Sequence, residues 1–177
     1  MKELRTGLYP TGRVKNGEAV LAAGESVDVT LVGKRFDEFA AAQLAYIGAH
    51  GEVQAALTLL RERQPVLKQR NRELDALVDE LAKRVALDGH TRTNPFAAYG
   101  PATPSAIMAL RCGEKAQAIH QLVGMLQADP TLSVGTRRTA KAAEDAARQM
   151  EAELIPLTKL QARLRTGRSA RGAAGQR

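Results

Sequence analysis

The sequence predicts a mainly α fold, an up-down bundle of three or four long, proline-bent helices with heptad patterning, preceded by a small N-terminal β-hairpin. Apolar residues recur every seven positions in one long segment, and they step by three and four in a second segment near the C-terminus. A shorter apolar face lies between the two. The predicted domains are a β-flap over residues 1–34 packed on the bundle, the helical bundle over 35–165, and a disordered basic tail over 166–177.

The N-terminal segment carries the pattern of a β-hairpin. Val14 and Val20 flank Asn16-Gly17, a dipeptide that is favoured in type I′ turns because both central residues adopt positive φ. A further strand is predicted where apolar residues alternate with polar ones, at Val27, Val29 and Leu31. A sheet this small is not stable alone, so we expect it to pack on the helices or to pair with another chain.

The first long helix is predicted from a ladder of apolar residues at seven-residue spacing: Phe39, Tyr46, Val53, Leu60, Leu67, Leu74 and Leu81. A heptad period keeps one stripe of a helix facing a neighbouring helix. Four polar residues interrupt the stripe in its middle: Arg63, Gln64, Arg70 and Asn71. A two-stranded coiled coil would keep both of its core positions apolar there, so the pattern favours a helix inside an intramolecular bundle.

Pro65 lies inside this segment and leaves two interpretations open. Proline removes a backbone donor and ends or bends a helix. A single bent helix over about residues 35–87 keeps Leu60 and Leu67 in phase, with Pro65 on the solvent side. The alternative is two helices that meet at Gln64-Pro65, with the proline at the first position of the second helix.

Two more helices are predicted downstream. The first has Thr103 as N-cap and Pro104 as its first residue, ends at Asp129-Pro130, and has the apolar face Met108, Cys112, Ala116, Ile119, Val123 and Leu126. The second has an apolar stripe that steps by three and four, with Pro156 off the stripe: Ala143, Ala147, Met150, Leu154, Leu157 and Leu164.

Composition restricts the class of protein. A chain of 177 residues can bury a full core, no segment approaches the length of a membrane span, and the opening Met-Lys-Glu-Leu-Arg lacks the apolar run of a secretory signal. Cys112 is the single cysteine and lies on an apolar face, which is typical of core packing. We therefore expect a cytoplasmic protein.

The net charge of +7 is concentrated at the C-terminus. Residues 157–177 contain six basic residues and no acidic one, so the rest of the chain sums to only +1. A flexible basic tail can neutralise phosphates without reading sequence, and the alternative is a solvated tail that aids solubility. The candidate polyanion-binding residues are Lys159, Arg163, Arg165, Arg168, Arg171 and Arg177.

The segment 89–103 is long for a loop in a helical domain, and loops of this length are often functional. Two of the six aromatic rings lie in it, together with groups that can contact an anion. The candidate partner-binding residues are His90, Arg92, Asn94, Phe96 and Tyr99. The alternative, which the sequence favours, is that the two rings close the end of the bundle.

No catalytic pattern emerges from the sequence. His50, His90 and His120 lie on separate segments and have no metal-ligand spacing, and no phosphate-binding glycine loop is present. We therefore predict no enzyme activity, no cofactor and no metal. Two functions remain: a structural or scaffolding module that binds a protein partner or itself within a larger assembly, and an accessory protein that binds nucleic acid or another polyanion through the basic tail.

Overall fold

The computed structural model describes residues 9–26 and 33–175. These residues form five helices and no strand, which confirms the mainly α prediction. The helices are α1 (Pro10–Ser26), α2 (Gly33–Leu87), α3 (Pro104–Ala109), α4 (Cys112–Ala128) and α5 (Val134–Gly175). The chain divides into two units, and α2 and α5 contribute to both: unit 1 is residues 1–60 and 159–177, and unit 2 is residues 61–158.

The predicted β-hairpin is wrong, because Asn16-Gly17 lies inside α1. Gly17 is buried, and a Cβ atom added to it would overlap the side chain of Gln43 on α2. Gln43 in turn donates from Nε2 to the carbonyl oxygen of Arg13 at 3.4 Å. Gly17 therefore lies at a close contact between two helices and not in a turn. The second predicted strand, at Val27, Val29 and Leu31, falls outside the described residues.

Gly17→Ala is expected to displace the amide end of the Gln43 side chain and to break its hydrogen bond to the Arg13 carbonyl oxygen, a loss of about 1 kcal/mol that offsets the gain in helix propensity. Gly12→Ala on the same helix is the matched control. No described atom lies within 4 Å of a Cβ built there, and alanine is the better helix former, so this change should be neutral or slightly stabilising. Chemical denaturation of both variants measures the difference, and equal stability would contradict the close contact.

Pro65 does not break the first long helix, since α2 continues through it from Gly33 to Leu87. Pro65 and Arg61 are both exposed, so water can satisfy the Arg61 carbonyl that loses its amide donor. The ladder residues Tyr46, Val53, Leu60, Leu74 and Leu81 are buried, whereas Phe39 and Leu67 are only partly covered.

The core of unit 2 is built from α2, α3, α4 and α5, with Phe96, Tyr99 and Leu132 added from the loops. Alanine dominates the buried face of α5, while leucine, isoleucine and valine dominate those of α2 and α4. Small and large side chains therefore pack against one another, as close-packed helices require. The largest fully buried members of this core are Phe96, Leu74, Leu81, Ile107, Ile119, Leu126, Leu132 and Met150.

The predicted middle helix is divided into α3 and α4 by Leu110 and Arg111, which both have extended backbone. In one continuous helix, Ile107 would point about 180° away from Ala116, nine residues later. Both residues are fully buried in the core of unit 2. The break thus directs both side chains into one core. The predicted cap is present, because the Ala106 amide donates to Thr103 Oγ1 at 3.1 Å.

The C-terminal segment differs from the predicted disordered tail, because α5 continues through Thr166 to Gly175. Gly167 is buried in unit 1, where a Cβ atom would lie 2.9 Å from Val53 Cγ2 of α2. The segment lacks large apolar residues, but its glycine and alanines allow a close helix contact in their place. The distance between two helix axes depends on the side chains at their contact, so small residues allow a closer approach.

Candidate functional site

The loop between α2 and α3 presents only part of its predicted site to solvent. Phe96 and Tyr99 are buried to 1% and 6% exposure and belong to the core of unit 2, so a partner cannot reach their rings in this structure. Asn94 is half-buried, and its Oδ1 atom is buried with no hydrogen-bond partner among the described residues. Arg92 is exposed and lines a shallow groove of about 530 Å³.

Tyr99 is the centre of a hydrogen-bonded cluster at this end of unit 2. Its hydroxyl donates to Asp129 Oδ2 at 2.6 Å and lies 3.0 Å from His90 Nε2. Because the hydroxyl proton is donated to Asp129, the hydroxyl can accept from His90 only if Nε2 carries the proton. Burial, together with the bond to Asp129, raises the pKa of Tyr99 well above its usual value. Tyr99 therefore stays protonated and is a poor base or nucleophile.

Asp129 ends α4 and begins a tight turn. Its Oδ1 atom accepts from the Thr131 hydroxyl at 2.6 Å and from the Thr131 amide at 2.8 Å. The bond from the Thr131 hydroxyl has the largest effect on the pKa of Asp129, followed by the bond from Tyr99 and the bond from the Thr131 amide. Together they lower that pKa to about 2. The carboxylate is thus held by three donors that favour its charged form.

Acid is expected to weaken this end of unit 2. Since folding lowers the pKa of Asp129 from its ordinary value of 3.8 to about 2, its contribution to stability is complete above about pH 4 and is lost as the pH falls toward 2. Asp129→Asn should therefore flatten the dependence of the unfolding free energy on pH between 4 and 2. Parallel slopes for the wild type and the variant would contradict this account.

Asp88, just after α2, connects to the start of α5. Its Oδ2 atom accepts from the Ser133 amide at 3.0 Å. Hydrogen bonds lower the pKa of Asp88, and the bond from Thr136 has a larger effect than those from Ser133. The Ser133 hydroxyl accepts from the Thr136 amide at 3.2 Å, which is the bond of an N-cap. The Asp88 carboxylate is therefore held by donors at the start of α5. The cluster joins the end of α2 to the start of α5.

A second polar cluster lies between α2 and α4 in unit 2. Lys115 is only 1% exposed, and its Nζ atom donates to Asp75 Oδ1 at 2.5 Å and to Asn71 Oδ1 at 2.9 Å. The Cys112 thiol also lies 3.6 Å from Asn71 Oδ1, and Asn71 Nδ2 donates to Asp75 Oδ2 at 3.1 Å. The ammonium group is therefore paired and hydrogen-bonded, as a buried charge must be. Cys112 is partly buried beside this cluster.

Sequence reasoning missed Asp75, Lys115, Asp88 and Asp129. One signal was present: Asn71 is a polar residue that interrupts the apolar ladder. In the structure its Oδ1 atom accepts a hydrogen bond from Lys115 Nζ. The Asp129-Pro130-Thr131 sequence is also typical of a side-chain-stabilised turn. No local pattern indicates the bond between Asp88 and Ser133, which are 45 residues apart.

Neither cluster resembles a metal centre. Among residues 9–26 and 33–175, no group of three or more His, Cys, Asp or Glu side chains could hold a metal ion. His120 is paired with Glu151 at 3.2 Å, and His50 lies beside the Tyr46 ring. No described helix is long and apolar enough to cross a membrane.

The predicted polyanion-binding residues lie on α5 in unit 1, except Arg177, which is outside the described range. Lys159, Arg163, Arg165 and Arg168 are exposed, whereas Arg171 is half-buried with Nη1 3.4 Å from His50 Nδ1. All ion pairs found among the described residues belong to unit 2. No described carboxylate therefore forms an ion pair with these five cations.

The first part of α2 has an exposed apolar face. Residues 39–60 contain one charged side chain, Glu52, although half of the segment is exposed. We name five exposed residues the outer stripe of α2: Leu44, Gly48, Gly51, Ala55 and Leu59. At 100° per residue they lie within about 80° of the helix circumference. Leu44 is 62% exposed and Leu59 is 42% exposed.

Comparison with known proteins does not identify a family. No family model matches the chain, and no curated protein or solved structure is significantly similar to it. The function is therefore inferred from the chain's own residues.

Proposed function

We propose that this protein is a non-enzymatic structural module that associates with a protein helix through the outer stripe of α2. The supporting observation is the near absence of charge between residues 39 and 60 on a helix that exposes half of its surface. An exposed helix face normally carries charged side chains, and an apolar one is typical of a surface that another element covers. The heptad-like spacing of the stripe suits a helical partner.

The residues of the stripe are suited to close helix contact. No described atom lies within 4 Å of a Cβ built on Gly48 or Gly51, so their surface is open among the described residues. Glycine inside a helix costs about 1 kcal/mol relative to alanine. Covering Leu44 and Leu59 would recover about 2 kcal/mol of apolar burial in total, given their present exposure.

Leu44→Glu tests this proposal. This change places a charge in the stripe and should abolish any association that depends on the stripe. Association is measured by light scattering over a range of concentrations and by protein capture on the immobilised chain. Gln54→Glu is the matched control, because Gln54 is exposed on α2 outside the stripe. If both variants and the wild type behave alike, the stripe is not an interaction surface.

The second candidate function is binding of nucleic acid or another polyanion through α5. The observation in its favour is the set of five described cations on α5 that form no ion pair with a described carboxylate. No aromatic residue occurs between 159 and 175, so base stacking has no platform there. Binding would act on phosphates and would weaken steeply as salt increases.

Replacing Arg163, Arg165 and Arg168 by Gln tests the polyanion function without removing the part of α5 that contacts Val53. The control replaces three exposed arginines of unit 2 by Gln, with the same loss of charge: Arg61, Arg72 and Arg138. The α5 variant should lose retention on DNA at low salt, and the control should keep most of it. Equal losses would indicate only an effect of net charge.

A further inference from the structure

Two pairs of exposed cations lie on opposite sides of the last part of α5. In unit 1 this part of the helix is covered along one face, where Leu160 and Gly167 are buried. The opposite face is exposed and consists of small side chains. We name three of its residues, which lie within about 60° of the helix circumference, the outward face of α5: Ala162, Thr166 and Ser169.

The positions of the cations follow from the helix period of 100° per residue. Lys159 and Arg163 lie about 50° and 90° to one side of the centre of the outward face. Arg165 and Arg168 lie about 70° and 130° to the other side. A flat anionic surface could contact one of these pairs at a time. A ligand that places phosphates on both sides of the helix can contact the two pairs together.

We propose that this part of α5 binds in the major groove of duplex DNA, with one pair of cations on the phosphates of each strand. This inference rests on the second candidate function, because it names the polyanion. The major groove of B-form DNA is about 12 Å wide and admits an α-helix, whose diameter with side chains is about 10–12 Å. The small residues of the outward face let the helix approach the base edges closely.

The outward face offers little to read a base sequence. Thr166 Oγ1 donates to the carbonyl oxygen of Ala162 at 3.2 Å, so its proton is already used within the helix. The outward face has no arginine, asparagine or glutamine that could make a bidentate contact with a base. Binding should therefore depend on the phosphates and on the shape of the groove, and hardly on sequence.

The form of the duplex distinguishes DNA from RNA. The major groove of A-form RNA is deep and narrow, so protein side chains cannot read it, and a whole helix is wider still. At equal charge and salt, a DNA duplex should therefore bind about tenfold more tightly than an RNA duplex of the same sequence.

One carboxylate acts against the proposed contact. Glu52 of α2 and Arg163 both line a shallow groove of about 640 Å³ beside α5. Glu52 would repel a phosphate that is bound at Arg163. Glu52→Gln should therefore raise the affinity for duplex DNA at low salt, and an unchanged or lower affinity would contradict phosphate contact at Arg163.

Two double variants with the same loss of charge test whether both sides of α5 contact DNA. One replaces Lys159 and Arg163 by Gln, and the other replaces Arg165 and Arg168 by Gln. Binding of the full-length chain to a short DNA duplex is measured by fluorescence anisotropy over a range of salt concentrations. Each variant should lose at least about tenfold in affinity at ~0.1 M salt, and the slope of log affinity against log salt should become shallower by about 1.8. A loss in only one variant would show a one-sided contact and overturn the inference.

Ala162→Trp tests whether the outward face enters the groove. It leaves the charge unchanged and places a large ring on that face, so it should lower the affinity for duplex DNA at least tenfold. Gln161→Trp is the control, because Gln161 is exposed and lies about 100° around the helix from Ala162. It should stay within about twofold of the wild type. Wild-type affinity in Ala162→Trp would overturn the inference.

The outcomes separate this inference from the second candidate function. If the variant with Arg163, Arg165 and Arg168 replaced by Gln loses retention on DNA while RNA and DNA duplexes bind the wild type equally, α5 binds polyanions but not in the major groove. If that variant is retained as well as the wild type, the second candidate function itself is removed.

Discussion

Asp75→Ala is expected to destabilise unit 2 by about 3 kcal/mol, at the lower end of the cost of breaking a buried ion pair. The change leaves the Lys115 ammonium group, which is 1% exposed, with Asn71 Oδ1 as its remaining partner. A buried charge without its counterion cannot regain the solvation that it lost on folding. Chemical denaturation monitored by circular dichroism measures the loss.

The double variant Asp75→Leu with Lys115→Met is the control for this prediction. Replacing both members of a buried pair by apolar residues of similar size is often neutral or stabilising. We therefore expect the double variant to be closer to the wild type than Asp75→Ala is. If Asp75→Ala changes stability by less than 1 kcal/mol, the Lys115 ammonium group does not depend on that carboxylate.

Phe96→Ala is expected to cost about 3–5 kcal/mol, because it removes the largest fully buried side chain of the core and leaves a cavity. Leu87→Ala is the matched control in unit 2, since Leu87 is 82% exposed and its truncation should change stability by less than about 0.5 kcal/mol. Thermal and chemical denaturation give both values.

The same pair of variants decides between two roles of the 89–103 loop. If Phe96 closes the end of the helices, its loss lowers stability and leaves association through α2 unchanged. If it were instead presented to a partner, truncation would weaken binding with little effect on stability. The burial of both loop rings supports the first role, and a stable Phe96→Ala protein that no longer associates would contradict it.

The helices could be predicted from the sequence where large apolar residues repeat with the period of a helix face. The ladder from Phe39 to Leu81 lies on α2 throughout, and Pro65 is accommodated because it falls on the solvent side. The prediction failed at glycines. Asn16-Gly17 has the composition of a turn, but the neighbouring Gln43 makes it a helix contact, and a local pattern contains no information about that neighbour.

The candidate site could be predicted only in part. The sequence indicated the 89–103 loop and the basic residues of the last segment, and it offered the closing role for Phe96 and Tyr99 as an alternative. It could not indicate that Lys115 meets Asp75, because these residues are 40 positions apart and each alone has the composition of a solvated helix surface. The exposed face of α2 was also missed, since the ladder on its other side dominates the pattern.

The sequence by itself determined that this protein is helical, where its long helices lie and where its net charge is concentrated. These properties depend on periodicity and composition, which are local. The tertiary structure decided which glycines allow helix contact, which charges are buried in pairs and which apolar face is exposed among the described residues. Those outcomes depend on distances between residues far apart in the chain, and such distances are fixed only when the helices pack.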